Sequence, residues 1–309
     1  MLGIKYPIIM APMFLVSSTK MVKAAIEAGI TGAIPALNYR TMAELEAAIL
    51  ELKEFGKGPF GINLIVNSSN YKYKSQLEVC CRLGVDFIIT SLGSPEETIN
   101  RSYEKGVKVF CDVTNLRFAK KVVPLGADAL IAVNSHAGGH AGHMTPEELI
   151  PMLKSHFDIP IISAGGVGDY KGLKQMLELG ADGLSIGSIF IASEECPVSN
   201  DYKNAIISYG KDDIVFTEKL SGSPCTVIKT PYVEKIGTHQ NWLEKLLSRN
   251  KRLKRWLKAL TFTRGMKSLE RAAFSTTYET VWCAGPSIEH VHSVRSVRDI
   301  VKSLVEPKS

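Results

Sequence analysis

Three stretches of the chain read GVDFIITS (84–91), GADALIAV (126–133) and GADGLSIG (180–187). Each begins with glycine, a small or branched residue and aspartate, and continues as a short, mostly apolar run. A glycine after the last helical turn is a common helix cap, and a nearly continuous apolar run is typical of a parallel strand that is buried on both faces. The repeat therefore predicts units in which a helix ends and a buried strand begins.

The same alternation extends over the first two thirds of the chain. Between the apolar runs lie segments with apolar residues at helical spacing, such as Met42, Leu45, Ile49 and Leu52. The predicted strands cover 7–11, 30–35, 60–66, 86–91, 107–113, 128–133, 160–164 and 183–187. Because parallel strands need crossover connections, eight such units predict an α/β (β/α)₈ TIM barrel rather than a doubly wound sheet of five or six strands.

The pattern loosens near residue 195. We predict a TIM barrel over 1–195 and a mainly helical appendage over 196–309, packed as one structural unit because no Gly/Ser-rich linker separates them. Helices are expected at 202–209 and 294–305, with an irregular stretch over 212–237. The segment RNKRLKRWLK (249–258) is interpreted as an amphipathic helix with a solvated basic face, and a role toward phosphate, a carrier protein or a membrane surface remains the alternative.

Composition excludes several classes of protein. The 309 residues are 45% hydrophobic and 22% charged, which is typical of a globular chain and not of a disordered or collagen-like one. The net charge of +6 is modest and much of it lies in 249–258, so no nucleic-acid partner is indicated. No apolar run approaches the roughly 18 residues of a membrane span, and no membrane partner is expected.

Cysteine usage and the N-terminal residues bear on the cellular compartment. The six cysteines are scattered and include no C-x-x-C pair, so neither a disulfide framework nor a zinc site is indicated. The apolar stretch PIIMAPMFLV (7–16) is interpreted as a strand and a loop rather than a signal peptide. Together these features lead us to expect a reducing, cytoplasmic location.

Glycine-rich turns follow the last two predicted strands. AGGVGD (164–169) follows the seventh strand, and Gly187 and Ser188 follow the eighth. Backbone N–H groups at such turns bind anions, and the loops after strands 7 and 8 are the usual phosphate site of this fold. We therefore expect Gly165, Gly166, Gly187 and Ser188 to bind a phosphate group. The alternative is that the glycines only form tight turns, and GGVGD is not a dinucleotide-binding fingerprint.

A second candidate site is SHAGGHAGH (135–143), which follows the sixth strand. Its three histidines suggest a metal site, but no Asp, Glu or Cys nearby completes a ligand set, so no metal is expected. An imidazole acting as a general acid or base is favoured, since its pKa lies near neutrality and flanking glycines allow close approach. His136 and His143 remain candidates for exposed histidines without a role.

Two further groups lie at strand ends. Ala11, Pro12 and Met13 leave the first strand, and Asn63 lies within the third. A small residue, a proline and a thioether are suited to contact a flat aromatic cofactor, and an inward-facing asparagine is suited to anchor it. A methionine at such a position is also common in protein cores.

Taken in order, APM (11–13), GIN (61–63), AGGHAG (137–142), AGGVGD (164–169) and GADGLSIGSIFIAS (180–193) resemble the nitronate monooxygenase family, formerly the 2-nitropropane dioxygenases. The same architecture is shared with the flavin-dependent enoyl-acyl carrier protein reductases. The resemblance covers residues 5 to about 195 well and reaches the C-terminal third only through SGSPC (221–225) and AGPS (284–287).

The resemblance implies an FMN-containing TIM barrel. It implies that His140 is the catalytic residue and that the flavin lies against the following residues: Ala11, Pro12, Met13, Asn63, Asp112, Gly138, Gly139, Gly165, Gly166, Gly187 and Ser188. The expected reaction converts an alkyl nitronate and O₂ to a carbonyl compound and nitrite, with a small-molecule substrate and a possible homodimer. The alternatives are an NAD(P)H-dependent enoyl-thioester reductase and a flavin-free binding protein.

The sequence also departs from the family pattern. Family members commonly carry Gln or Glu and a second acidic residue ahead of AGGH, where this chain has Val133-Asn134-Ser135-His136. The fifth strand ends in Cys111-Asp112-Val113. Two interpretations of Asp112 stay open: its carboxylate lies beside the flavin or the His140 loop, or it caps the helix that begins near Asn115.

Overall fold

The computed structural model describes residues 1–218, 224–238 and 281–307. Eight parallel strands close into a barrel, which confirms the predicted TIM-barrel fold. The barrel strands are β1 (Ile8–Met10), β2 (Thr31–Pro35), β3 (Phe60–Ile65), β4 (Phe87–Ser91), β5 (Lys108–Val113), β6 (Ala129–Val133), β8 (Ile161–Ala164) and β9 (Gly183–Ile186). Between β6 and β8, β7 (Gly139–His140) belongs to a separate sheet.

Seven helices connect the barrel strands: α1 (Thr19–Glu27), α2 (Met42–Phe55), α3 (Tyr73–Leu83), α4 (Glu96–Tyr103), α5 (Leu116–Val122), α6 (Pro146–Lys154) and α7 (Tyr170–Glu178). Several begin at side-chain caps. Thr41 with Glu44 and Thr145 with Glu148 form capping boxes at α2 and α6, in which each pair satisfies backbone N–H groups that a helix start leaves without partners. None of the helices in the described ranges is both long and apolar enough to cross a membrane.

The barrel closes through β1, which pairs in parallel with both β2 and β9. Ile9 is the register partner of Thr31 on one side and of Ser185 on the other. All neighbouring barrel strands pair in parallel, so their carboxyl ends meet at the same rim. This rim gathers residues that are distant in sequence.

The barrel interior contains an apolar layer below this rim. It consists of Ile9, Ala33, Phe87, Ile89, Phe110, Ala129, Ile131 and Ile162. The rings of Phe87 and Phe110 stack with centroids 5.0 Å apart. Because side chains alternate along a strand, the inward positions that follow these residues, Ser91 on β4 and Asp112 on β5, lie above the apolar layer.

The chain after residue 195 adds helices and strands. The predicted helices 202–209 and 294–305 correspond to α8 (Asn200–Ser208) and α10 (Val297–Val305). The prediction of an irregular stretch over 212–237 is wrong, because it contains strands β10 (Ile214–Thr217) and β11 (Cys225–Ile228) and helix α9 (Pro231–Ile236). The turn signals between the two short strands are those of a hairpin. The predicted basic helix at 249–258 lies outside the described residues.

Candidate active site

A cavity of about 980 Å³ lies above the inner apolar layer, at the carboxyl ends of the barrel strands. This volume is near the upper end of the roughly 300–1,000 Å³ typical of ligand sites. The structure brings every predicted catalytic and cofactor-binding residue to its wall: Ala11, Pro12, Met13, Asn63, Asp112, Gly138, Gly139, His140, Gly165, Gly166, Gly187 and Ser188. The cavity has room for a cofactor and a small substrate side by side.

One side of the wall is the glycine corner, formed by Gly165, Gly166, Gly187 and Ser188. Gly165 and Gly166 have φ angles of 119° and 86°, in the region that favours glycine. A Cβ on Gly165 would collide with the backbone nitrogen of Ala137, so a side chain there would fill the turn. Helix α7 begins directly after this turn and adds the partial positive charge of its N-terminus. The donor groups of this corner therefore suit a phosphate.

The C-terminal segment closes the same corner from above. The Gly285 N–H donates a hydrogen bond of 2.9 Å to Oγ of Ser188, and the Tyr202 hydroxyl donates one of 2.7 Å to the carbonyl of Cys283. The Ser188 hydroxyl thus accepts from the protein and, among the described residues, donates to no other group, so its hydrogen can reach a ligand. Ser188 and Gly285, which are 97 residues apart in the chain, thus meet at this part of the wall.

The loop after β1 lies beside the glycine corner. Ser17 Oγ accepts the Met13 N–H at 2.8 Å and donates to the Ala11 carbonyl at 3.2 Å, which fixes the loop over Ala11, Pro12 and Met13. The Met13 sulfur lies close to the Cα of Gly187, where a Cβ would be 3.3 Å from it. Proline and thioether surfaces thus form an apolar wall next to the proposed phosphate position.

A directional chain of hydrogen bonds runs across three neighbouring strands on the opposite side. Nδ2 of Asn63 donates to the Ile89 carbonyl at 3.1 Å and to Oγ of Ser91 at 2.8 Å. The Ser91 hydroxyl donates in turn to Oδ2 of Asp112 at 2.5 Å. Asn63, Ser91 and Asp112 all line the cavity. We call this set the polar chain.

The environment of Asp112 decides between its two predicted roles. Burial raises the pKa of Asp112 to about 7, and the hydrogen bond from Ser91 opposes part of that rise. The N-cap of α5 is Asn115, whose side chain accepts the Phe118 N–H at 3.1 Å. The interpretation of Asp112 as a helix cap is therefore wrong, and its carboxyl belongs to the cavity wall.

His140 lies on β7, which is the edge strand of the sheet β10–β11–β7. Its register partner is Cys225, and Gly139 pairs with Thr226. The imidazole is exposed and lines the cavity, and desolvation by the surrounding protein lowers its pKa. His140 is therefore a neutral base at neutral pH.

The other two histidines of the loop also line the cavity. The His136 ring lies next to Gly166, where a Cβ would be 3.2 Å from Nδ1, and His143 stacks on Phe216 with centroids 6.2 Å apart. The described residues contain no group of three His, Cys, Asp or Glu side chains arranged for a metal ion. Both side chains are exposed at the cavity wall.

Two parts of the wall were missed in the sequence. Ser91 is the last residue of a correctly predicted strand, and the rule that picked out Asp112 would also have found it. The hairpin strand β11 was missed because its pairing with β7 joins residues far apart in the chain. The Thr226 hydroxyl donates to the carbonyl of Ala137, so this strand holds the His140 loop.

Comparison with known proteins places the chain among flavin enzymes. A family model described as nitronate monooxygenase matches residues 1–307. A probable nitronate monooxygenase of Staphylococcus saprophyticus is 28% identical over 286 residues, with 78% of this chain and 80% of the relative covered. The structure of FabK from Thermotoga maritima matches with a TM-score of 0.84 and 29% identity, covering 98% of this chain and 92% of FabK.

A third similar protein has a different activity in its name. It is the (3aS,4S,5R,7aS)-5-hydroxy-7a-methyl-1-oxo-octahydro-1H-indene-4-carboxyl-CoA dehydrogenase of Mycobacterium tuberculosis, 30% identical over 239 residues. The match covers 76% of this chain and 66% of the dehydrogenase, so it leaves about a third of that protein unmatched. These relatives share a barrel and differ in the substrates that their names give.

Proposed function

Because the chain belongs to the nitronate monooxygenase family, whose members are flavin-dependent oxidoreductases, we propose that it uses FMN and O₂ to oxidise alkyl nitronates to a carbonyl compound and nitrite. The observation that carries this proposal is the position of His140, a neutral imidazole on the wall of a cavity whose other side is the glycine corner. A base and a phosphate-binding turn on one cavity are what a flavin enzyme acting on carbon acids needs.

In this proposal the glycine corner and the N-terminus of α7 hold the FMN phosphate. Ala11, Pro12 and Met13 form the apolar surface against the ring system, with Asn63, Asp112 and the Gly138–Gly139 turn on its other edges. When bound, FMN supplies the acceptance of electrons from the substrate and their transfer to O₂. The protein supplies position, charge and exclusion of water.

His140 acts as the base for neutral nitroalkanes. A nitronate is already deprotonated at carbon, but a nitroalkane must first lose its α-proton. Since burial lowers the pKa of His140, its imidazole is neutral at neutral pH and can accept that proton. The flanking Gly138 and Gly139 leave space for a substrate to approach the imidazole.

The second candidate is an NAD(P)H-dependent enoyl-thioester reductase. Its support is the extent of the cavity, whose wall continues past the polar chain along α5 to Phe118 and Lys121. An apolar path with a cation at its end suits an extended acyl group with an acidic carrier. FabK, an enoyl-acyl carrier protein reductase, and the CoA dehydrogenase of M. tuberculosis add to this support.

Anaerobic flavin titration separates the two functions. The purified protein is checked for flavin absorbance, the released flavin is identified by mass, and a nitronate, NADH or NADPH is added in separate cuvettes. We expect FMN, and reduction by the nitronate alone. Rapid bleaching by a pyridine nucleotide, with no response to the nitronate, would contradict the proposal and favour the reductase.

A further inference from the structure

The carboxyl group of Asp112 lies in surroundings that are unusual for an acid. It borders a cavity floored by the apolar side chains Ile89 and Ile131, and its pairing with Ser91 involves only Oδ2. Among the described residues, no group donates a hydrogen bond to Oδ1, and no cation forms an ion pair with this side chain. A buried acid without a cation is expected to interact with whatever occupies the cavity.

The polar chain fixes the direction of this carboxyl. Nδ2 of Asn63 can only donate hydrogen bonds, so Ser91 Oγ must be the acceptor in the bond between them. The Ser91 hydrogen is thereby directed to Oδ2 of Asp112. With Oδ2 acting as acceptor, the proton of the neutral carboxyl resides on Oδ1, where it is available as a donor to the cavity.

Other titratable groups adjoin Asp112 in the chain or line the same cavity. Cys111 is its neighbour on β5, Lys121 lies on α5, and the loop after β6 carries the cavity-lining imidazoles of residues 136, 140 and 143. Desolvation acts on His140 and Asp112 in opposite senses, since it favours the neutral base at His140 and the neutral acid at Asp112. When the environments of two titratable groups shift their pKa values in opposite directions, one group is suited to act as an acid and the other as a base.

We infer that Asp112 is a substrate-contacting residue that selects for the anion: its protonated carboxyl donates a hydrogen bond from Oδ1 to a nitronate oxygen, and its ionised form repels the same group. Asn63 and Ser91 are the positioning residues of this contact. The inference rests on the proposed function for the identity of the anion. His140 then accepts the proton of a neutral nitroalkane, and Asp112 binds the charge that appears on its oxygens.

The test uses the flavin-loaded enzyme and butyrate, an unreactive anion that carries its charge on two oxygens as a nitronate does. Binding is read from the perturbation of the flavin absorbance between pH 6 and pH 9, where butyrate stays ionised. With the pKa of Asp112 at about 7, the Kd should rise about 50- to 100-fold across this range in the native enzyme. In Asp112→Asn, which keeps a donor and stays neutral, the Kd should be independent of pH.

Two further variants make the test specific. Ser91→Ala removes a hydrogen bond that favours the ionised carboxylate, so the rise in Kd should move to higher pH. Thr90→Val removes a hydroxyl from the same strand outside the cavity wall, and its pH profile should match that of the native enzyme. A variant that loses only structural integrity would weaken binding equally at all pH values.

The outcomes separate this inference from the proposed function. A Kd that does not change with pH in the native enzyme overturns the role of Asp112. A rise that persists in full in Asp112→Asn also overturns it, because another group then causes the pH dependence. Absence of butyrate binding at pH 6 also overturns it. If the butyrate results are as expected but nitronates do not reduce the flavin, the proposed function fails while the anion contact at Asp112 stands.

Discussion

The glycine corner and the His140 strand β7 lie on the same cavity but are built in different ways. The glycine corner uses backbone groups of two adjacent strand ends, and its residues follow β8 and β9 directly in sequence. The position of β7 depends on pairing with β11, which comes from the appendage. The proposed phosphate site is encoded locally, whereas the strand that carries the proposed base pairs with a distant part of the chain.

The largest effect should come from removing the base itself. His140→Asn should slow the oxidation of neutral nitroalkanes by about 10²- to 10⁴-fold, because proton abstraction by a positioned base contributes that much. Preformed nitronates should react at nearly the native rate. The measurement is kcat/KM for a nitroalkane and for its nitronate, with flavin content unchanged in both proteins.

The pH profile and a neighbouring histidine provide the control. Burial lowers the pKa of His140. As the pH is lowered, kcat/KM for the nitroalkane should therefore stay constant until the pH falls below about 6.5, the ordinary pKa of histidine. His143→Asn, in the same loop, should leave the rates with both substrates close to native. Equal slowing of nitroalkane and nitronate in His140→Asn would show that His140 is not the base.

Substitutions in the glycine corner should weaken cofactor binding and leave proton transfer unchanged. Gly166→Asp places a carboxylate against the proposed phosphate, and like charges in contact cost several kcal/mol, so FMN affinity should fall by about 100-fold or more. Gly166→Asn is the matched control, since it has the same shape and the same backbone strain at a φ of 86° without the charge. The measurement is flavin content and FMN affinity after reconstitution.

Comparable flavin loss in the two Gly166 variants would attribute the effect to strain. Full retention of flavin in Gly166→Asp would show that the phosphate binds elsewhere. Either result would remove the distinction between a locally encoded phosphate site and a distantly supported base.

The parts of the fold and of the site that depend on local sequence patterns could be predicted from the sequence. The Gly-x-Asp repeat and the apolar runs predicted all eight barrel strands, and the rule that active sites form at their carboxyl ends collected Asn63, Asp112 and the glycine corner. The hairpin β10–β11 was not predictable in the same way, because strands of four residues carry little periodicity and pairing with β7 is a long-range contact. Predicting that Ser91 donates a hydrogen bond to Asp112 would have required the register between β4 and β5.

The smallest expected effect tests the long-range support of β7. Thr226→Val keeps the shape of the side chain but removes the hydroxyl that donates to the Ala137 carbonyl, which should cost about 1–3 kcal/mol of unfolding free energy. Thr31→Val is the matched control, because Thr31 is also buried and donates to the Pro59 carbonyl at 2.6 Å, far from His140. Both variants should lose similar stability in urea unfolding, but only Thr226→Val should slow nitroalkane oxidation, by several-fold. Equal rates in the two variants would show that β7 keeps its position without this bond, and the base would then be supported by the loop after β6 alone.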